Sequence, residues 1–237
     1  PRPIAATIHM GALRHNLQRM REAANGRTLW AVVKANAYGH GLLRAARAFE
    51  AADGLAMIDL CDAQKVREQG WKKRILLLEG FFDATDIPLL EKYDIETIVH
   101  NRHMIELLKA QAPYASLKVH IKINSGMNRL GFLPQEEEEI RAQLQTIQGV
   151  QVMGVVTHFA NAEPTYGHER PATVSIQLNR MDKIQPMPKN LCMANSAATL
   201  WQSDVKGDAV RAGVALYGVS PDSHYTSADL NIRPAMT

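Results

Sequence analysis

The sequence predicts a (β/α)8 barrel, and three observations carry the prediction. Short apolar, β-rich runs alternate with longer segments of helical periodicity. The runs are continuously apolar, as strands of a parallel sheet buried on both faces must be. Eight such units fit within 237 residues, and α/β barrels of about 200–250 residues fold as one domain. An open doubly wound sheet is the runner-up, but it usually has fewer strands.

Residues 4–24 come first, with a short alternating stretch and a helix that carries Leu13, Leu17 and Met20 on one face. The first barrel strand is expected at residues 29–33 and the second at 54–58, with a helix over 42–49 between them. A helix over 61–69 stops at Gly70, a natural C-terminal cap. Strands three and four follow at 74–78 and 97–99, and a helix over 104–111 stops before Pro113. Strand five is expected at 118–123. Pro134, followed by Glu136, Glu137, Glu138 and Glu139, marks a helix start, because proline suits the first turn and carboxylates favour the positive end of the helix dipole. The acidic run reads as a solvated helix end. Strand six lies at 150–156, a helix at 173–184, and two weaker strands at 191–193 and 209–210. The expected division is 1–26 as a leading strand and helix, 27–220 as the barrel, and 221–237 as the start of a connection.

Composition narrows the function. Hydrophobic residues make up 46%, enough for a core, and charged residues 22%, which argues against disorder. The net charge is only +3, with no basic cluster or aromatic stripe of the kind that lines a nucleic-acid groove. No apolar run approaches the roughly 20 residues that span a membrane. A soluble, cytoplasmic protein is therefore expected. Cys61 and Cys192 are too far apart for a zinc-type pair and read as buried, inert thiols. The nine histidines lack metal-ligand spacing, so no metal is expected. GxxxxGK[ST], HExxH and GxSxG patterns are absent.

In a barrel of this kind, chemistry belongs at the C-terminal ends of the strands. Reactive residues fall there: Lys34 after the first strand, Glu79, His100, Lys122 followed by Arg129, His158, Asn195 with Ser196, and Arg211 with Gly213. Lys34 follows three apolar residues, so its amine is expected to face the mouth, where a desolvated lysine can form a Schiff base. The plainer alternative is a lysine reaching solvent. Ser196 and Gly213 suit an anion site built from backbone amides, although Ser196 can equally be a helix N-cap. Arg211 can meet a carboxylate or a ligand nitrogen. His158 can be a satisfied core histidine.

These residues also sit in longer motifs. Ala31-Val32-Val33-Lys34-Ala35-Asn36-Ala37-Tyr38-Gly39-His40-Gly41 resembles the pyridoxal-phosphate lysine motif of the alanine racemases. Further matches follow in family order at residues 122–132, 194–199 and 210–218, and the stretch at 78–82 is similar as well. The resemblance implies that Lys34 holds pyridoxal 5'-phosphate and serves as one of two bases that racemise alanine. It assigns Tyr38, Asn195, Ser196, Gly213 and Val214 to the cofactor, and Arg211 to its pyridine nitrogen. Arg129 would lie near the cofactor oxygen and the substrate carboxylate. Lys122 would be the carbamylated lysine that orients Arg129, and His158 would link Arg211 toward the second base. In the family that base is a tyrosine of a β-rich C-terminal domain, supplied across a homodimer. Tyr166, Tyr217 and Tyr225 match no base position, so the chain reads as the barrel domain without that second domain, with little or no activity by itself. The competing readings are a barrel that only binds pyridoxal phosphate, a decarboxylase (which would place an acid where Arg211 stands), and a structural domain of a dimer.

Overall fold

The structure is a computed structural model that describes residues 3–111, 116–164 and 169–237. Eight parallel strands close into a barrel in sequence order, β1 pairing with both β2 and β8. They are β1 Thr28–Val32, β2 Gly54–Met57, β3 Arg74–Leu77, β4 Glu96–Val99, β5 Leu117–Lys122, β6 Val150–Val156, β7 Leu191–Ala194 and β8 Ala209–Ala212. All eight expected strands are present, within a few residues of their expected bounds. The open doubly wound sheet is thereby excluded.

The strands bury two faces, and each face has its own core. Inside the barrel, Trp30, Val32, Ala56, Leu76, Ile98, Val156, Cys192 and Ala209 pack together. Gly54 makes room for Trp30 there, since a Cβ at that position would lie 2.4 Å from the indole ring. Outside, the opposite strand faces join the apolar stripes of the surrounding helices in a larger core. The leading helix α1, Met10–Ala24, buries Leu13, Leu17, Met20 and Ala24. Its buried Asn16 donates to the carbonyls of Leu216 (3.0 Å) and Arg233 (2.8 Å) and accepts from the Arg233 N–H (2.7 Å). These bonds tie the start of the chain to its last residues.

Some local expectations change. A short helix at Ile87–Lys92 had too few residues to show a period. The acidic run begins a 3-10 turn, Pro134–Glu136, and then the helix Glu137–Gln145, but Glu137 is buried and pairs with Arg141, so the run is not wholly solvated. Cys192 is buried, whereas Cys61 is exposed near a helix start, and both thiols are free. Pro113 and Tyr166 lie outside the described residues.

Lys34–Tyr38 makes one helical turn of the wrong hand. Ala35, Asn36, Ala37 and Tyr38 have φ of 52°, 52°, 56° and 51°. A left-handed turn costs roughly 1–2 kcal/mol for each L-residue other than glycine. The sequence gives no sign of it, because alanine and tyrosine do not favour that region.

Candidate active site

The mouth of the barrel encloses a cavity of about 400 Å³, and every residue that the resemblance assigns to the site lines it; His100 does not, its Nε2 instead meeting the Glu79 carbonyl at 3.0 Å. Lys34 follows β1 after Val33 alone and enters the cavity half-buried, its amine 5.9 Å from the centre of the Tyr38 ring. The left-handed turn brings Tyr38 back over the mouth. Its hydroxyl approaches Gly213 so closely that a Cβ there would lie 2.6 Å from the oxygen. Gly213 has negative φ, so it is needed for this approach and not for backbone freedom.

Two strands along from β1, β7 runs into the short helix Ser196–Trp201. Asn195 is its N-cap, accepting from the Ala198 N–H at 2.9 Å. The capping role considered for Ser196 thus falls to its neighbour. Ser196 Oγ instead accepts from the Gly213 N–H at 2.8 Å, joining the ends of β7 and β8. Its own proton remains to be donated toward the cavity. Tyr38, Ser196 and the backbone at Gly213 and Val214 make a small polar cradle on one wall.

The lining beside and below this cradle is cationic. Arg211 is 4% exposed, yet its hydrogen-bond partners are neutral. Nη1 donates to the Cys192 carbonyl (2.8 Å) and Sγ (2.9 Å), and Nη2 to the Thr157 carbonyl (2.5 Å). Nη2 also reaches His158 Nδ1 at 3.2 Å, which places the imidazole proton on Nε2. Burial and the neighbouring cations Arg211, Lys122, Arg129 and Lys34 push the His158 pKa down to about 2. Lys122 is 8% exposed at the end of β5, and burial followed by Arg211 and Arg129 lowers its pKa to about 7. Both groups are thus held toward their neutral forms. Arg129 is exposed at the rim. Glu79 and Glu163 also line the cavity. Glu163 and the Cys192–Arg211 contact were not foreseen; the thiol had read as inert filler.

Two of the other tyrosines, Tyr217 and Tyr225, are engaged elsewhere. Tyr217 is 2% exposed, donates to the Val32 carbonyl at 2.8 Å and stacks 4.7 Å from Tyr38, and burial raises its pKa well above the usual value. Tyr225 packs 5.3 Å from Trp201. Among the described residues no three His, Cys, Asp or Glu side chains converge as metal ligands would, and no helix is long and apolar enough to cross a membrane.

Fold and mouth together define a class: (β/α)8 barrels whose C-terminal face gathers basic side chains around a cavity, with a lysine at the end of the first strand. Within that class the family described as alanine racemase, N-terminal domain, matches residues 8–221. The chain belongs to this family. The alanine racemase of Delftia acidovorans is 45% identical over 242 aligned residues, covering 100% of this chain and 65% of that protein. A catabolic alanine racemase of Klebsiella aerogenes is 44% identical over 237 residues, with the same coverage. The crystal structure of the biosynthetic alanine racemase from Pseudomonas aeruginosa superposes with a TM-score of 0.93 at 34% identity, again over 100% of this chain and 65% of that one. The chain spans 65% of the length of these relatives.

Proposed function

We propose that this barrel holds pyridoxal 5'-phosphate on Lys34 and belongs to an alanine racemase that interconverts L- and D-alanine. The observation that carries the reading is the convergence in one cavity of Lys34, a polar cradle and a buried arginine that has only neutral hydrogen-bond partners. A dianionic phosphate suits such a cavity. The cradle at Gly213 is a space that a side chain would fill.

When bound, the cofactor supplies the electron sink for the pair left behind by the α-proton. Tyr38, Ser196, Gly213 and Val214 would hold its phosphate, and Asn195 would line the cofactor beside them. Arg211 would face the ring nitrogen, where its positive charge would oppose protonation, weaken the sink and limit side reactions. His158 stays neutral and steadies Arg211 through Nδ1. Lys34 moves the proton on one face of the substrate carbon, and Arg129 receives the substrate carboxylate. Lys122, with its pKa near 7, offers the neutral amine that adds carbon dioxide, losing one proton and becoming a carbamate anion between Arg211 and Arg129. A native mass raised by one carbon dioxide checks this.

The second base is assigned to a partner subunit of a cytoplasmic homodimer, in the part of the relatives that this chain does not span. Tyr217, buried and hydrogen-bonded, does not fill that role. The test is a pyridoxal phosphate titration followed by absorbance. The chain should develop a lysine-bound band that Lys34→Ala abolishes, and a coupled D-alanine assay should show weak or no turnover by the chain alone. A band of full strength in Lys34→Ala would overturn the assignment. A full-length form that loads the cofactor but makes no D-alanine would favour a barrel that only binds it.

A further inference from the structure

Gln177 lies on the helix Ala172–Met181, outside the barrel, yet it is 2% exposed and reaches in behind the mouth. Its Nε2 donates to Ser125 Oγ at 2.9 Å and to the His158 carbonyl at 2.8 Å. Its Oε1 accepts from the Ala160 N–H at 2.9 Å. The sense of the amide is fixed, because an N–H can only donate and a carbonyl can only accept.

The hydrogen bonds continue inward. Ser125 Oγ lies 2.7 Å from Thr157 Oγ1, and Thr157 Oγ1 donates to the Ile123 carbonyl at 2.8 Å. That bond uses the single hydroxyl proton of Thr157. Ser125 must therefore donate to Thr157, which leaves Ser125 Oγ to accept from Gln177. Every proton points one way, from the outer helix to the end of β5. Ser125 and Thr157 are both fully or almost fully buried, so water does not offer substitute partners. Arg180 on the same helix donates to the Ser125 carbonyl at 3.1 Å.

One side chain thus joins two segments that carry site residues. Ser125 begins the loop that presents Arg129. Thr157 and His158 end β6, and the Thr157 carbonyl and His158 Nδ1 both receive Arg211. We infer that Gln177 is a positioning residue that sets the Arg129 loop in register with the His158–Arg211 pair. The inference rests on the proposed function for the importance of that register, but the linkage itself is geometric.

Residue-resolved hydrogen exchange on the 237-residue chain, with and without pyridoxal phosphate, tests it. Gln177→Met keeps the bulk and removes the donors and acceptor. Gln177→Glu keeps the shape but turns a donor into an acceptor against the His158 carbonyl. Glu96→Gln, a comparably buried polar change at the opposite end of the barrel, is the control. In both Gln177 variants the amides of residues 124–131 and Ala160 should lose about tenfold more protection than the barrel strands, whereas Glu96→Gln should lower protection without that concentration at the mouth. Pyridoxal phosphate should bind about tenfold more weakly in the Gln177 variants. If a Gln177 variant does not fold, Ser125→Ala breaks the same line with a smaller change and should show the same local loss. Loss of protection only in step with global stability would overturn the inference. If the unaltered chain takes up no pyridoxal phosphate, the proposed function fails, while the exchange result still decides the positioning role.

Discussion

Glu96 at the barrel floor and Arg211 at the mouth are almost equally buried, at 2% and 4% exposure, yet they are balanced in different ways. Glu96 receives Arg74 through two bonds of 2.6 and 2.8 Å and His120 Nε2 at 2.8 Å. Arg74 in turn lies over Trp30, 4.6 Å from the ring centre. Burial alone would raise the Glu96 pKa, but the hydrogen bonds from Arg74 and His120 outweigh it and bring it down to about 2. At the mouth, Arg211, Lys122 and His158 face one another, and Arg211 bonds to carbonyls, a thiol and an imidazole. The floor closes its charge balance within the protein and contributes to stability. The mouth leaves a surplus of one sign, which costs stability and suits an anionic ligand.

Lys122 at the mouth and Glu96 at the floor should therefore act in separate pH windows. Lys122 has a folded pKa of about 7 against 10.5 for the free group. Within that window the unfolded chain holds a proton that the folded chain lacks, so stability rises with pH, by up to about 1.4 kcal/mol per unit. Lys122→Met should remove this rise. In buffer freed of carbon dioxide it should exceed the parent in stability below pH 7 and lose that advantage progressively above it. Chemical denaturation at a series of pH values reads the difference between the two chains, in which other titrating groups cancel. Equal slopes would mean that the mouth carries no such strain.

Glu96 gives a slope of the same sign, in an acidic window and from favourable partners instead of an unfavourable burial. Its folded pKa of about 2 lies below the ordinary 4.5, so the stability it contributes is present above pH 4.5 and is lost as pH falls toward 2. Glu96→Ala should cost about 3 kcal/mol at neutral pH, because His120 and Arg74 lose their shared partner. The folded fraction should still bind pyridoxal phosphate with unchanged affinity. A specific loss of cofactor affinity would show that the two ends are coupled and break the comparison.

The barrel was legible because its strands are continuously apolar and its helices carry stop signals such as Gly70. The mouth was legible in part because reactive residues follow strand ends, a one-dimensional regularity. What the sequence could not show depends on contacts across the fold. Gln177 and Ser125 are 52 positions apart, and neither residue type marks a site. Cys192 reads as a small apolar side chain until Arg211 is seen against its sulfur and carbonyl. Asn195 and Ser196 are both good caps, and only the geometry gives the cap to Asn195 and the bond from Gly213 to Ser196. The floor network was missed for a related reason: Arg74, Glu96 and His120 sit in three different strands with no shared spacing.

Backbone strain follows the same division and gives the smallest expected effect. Turns near the floor that need positive φ use residues suited to it, among them Asn25, Asp94, Asn190, Gly26 and Gly207. At the mouth, Ala35, Ala37 and Tyr38 occupy the left-handed region beside Lys34. Ala35 is exposed, so replacing it by glycine removes no buried contact. Glycine relieves roughly 1–2 kcal/mol of left-handed cost and returns about 0.4–1 kcal/mol through the greater freedom of the unfolded chain. Ala35→Gly should therefore stabilise the chain by about 0.5 kcal/mol. Asn25→Gly, at a floor turn where asparagine already tolerates the conformation, should change stability by less than that. Denaturation midpoints of the two variants against the parent decide it. A loss of stability in Ala35→Gly would mean that the turn beside Lys34 is held without strain, and that the mouth differs from the floor only in charge.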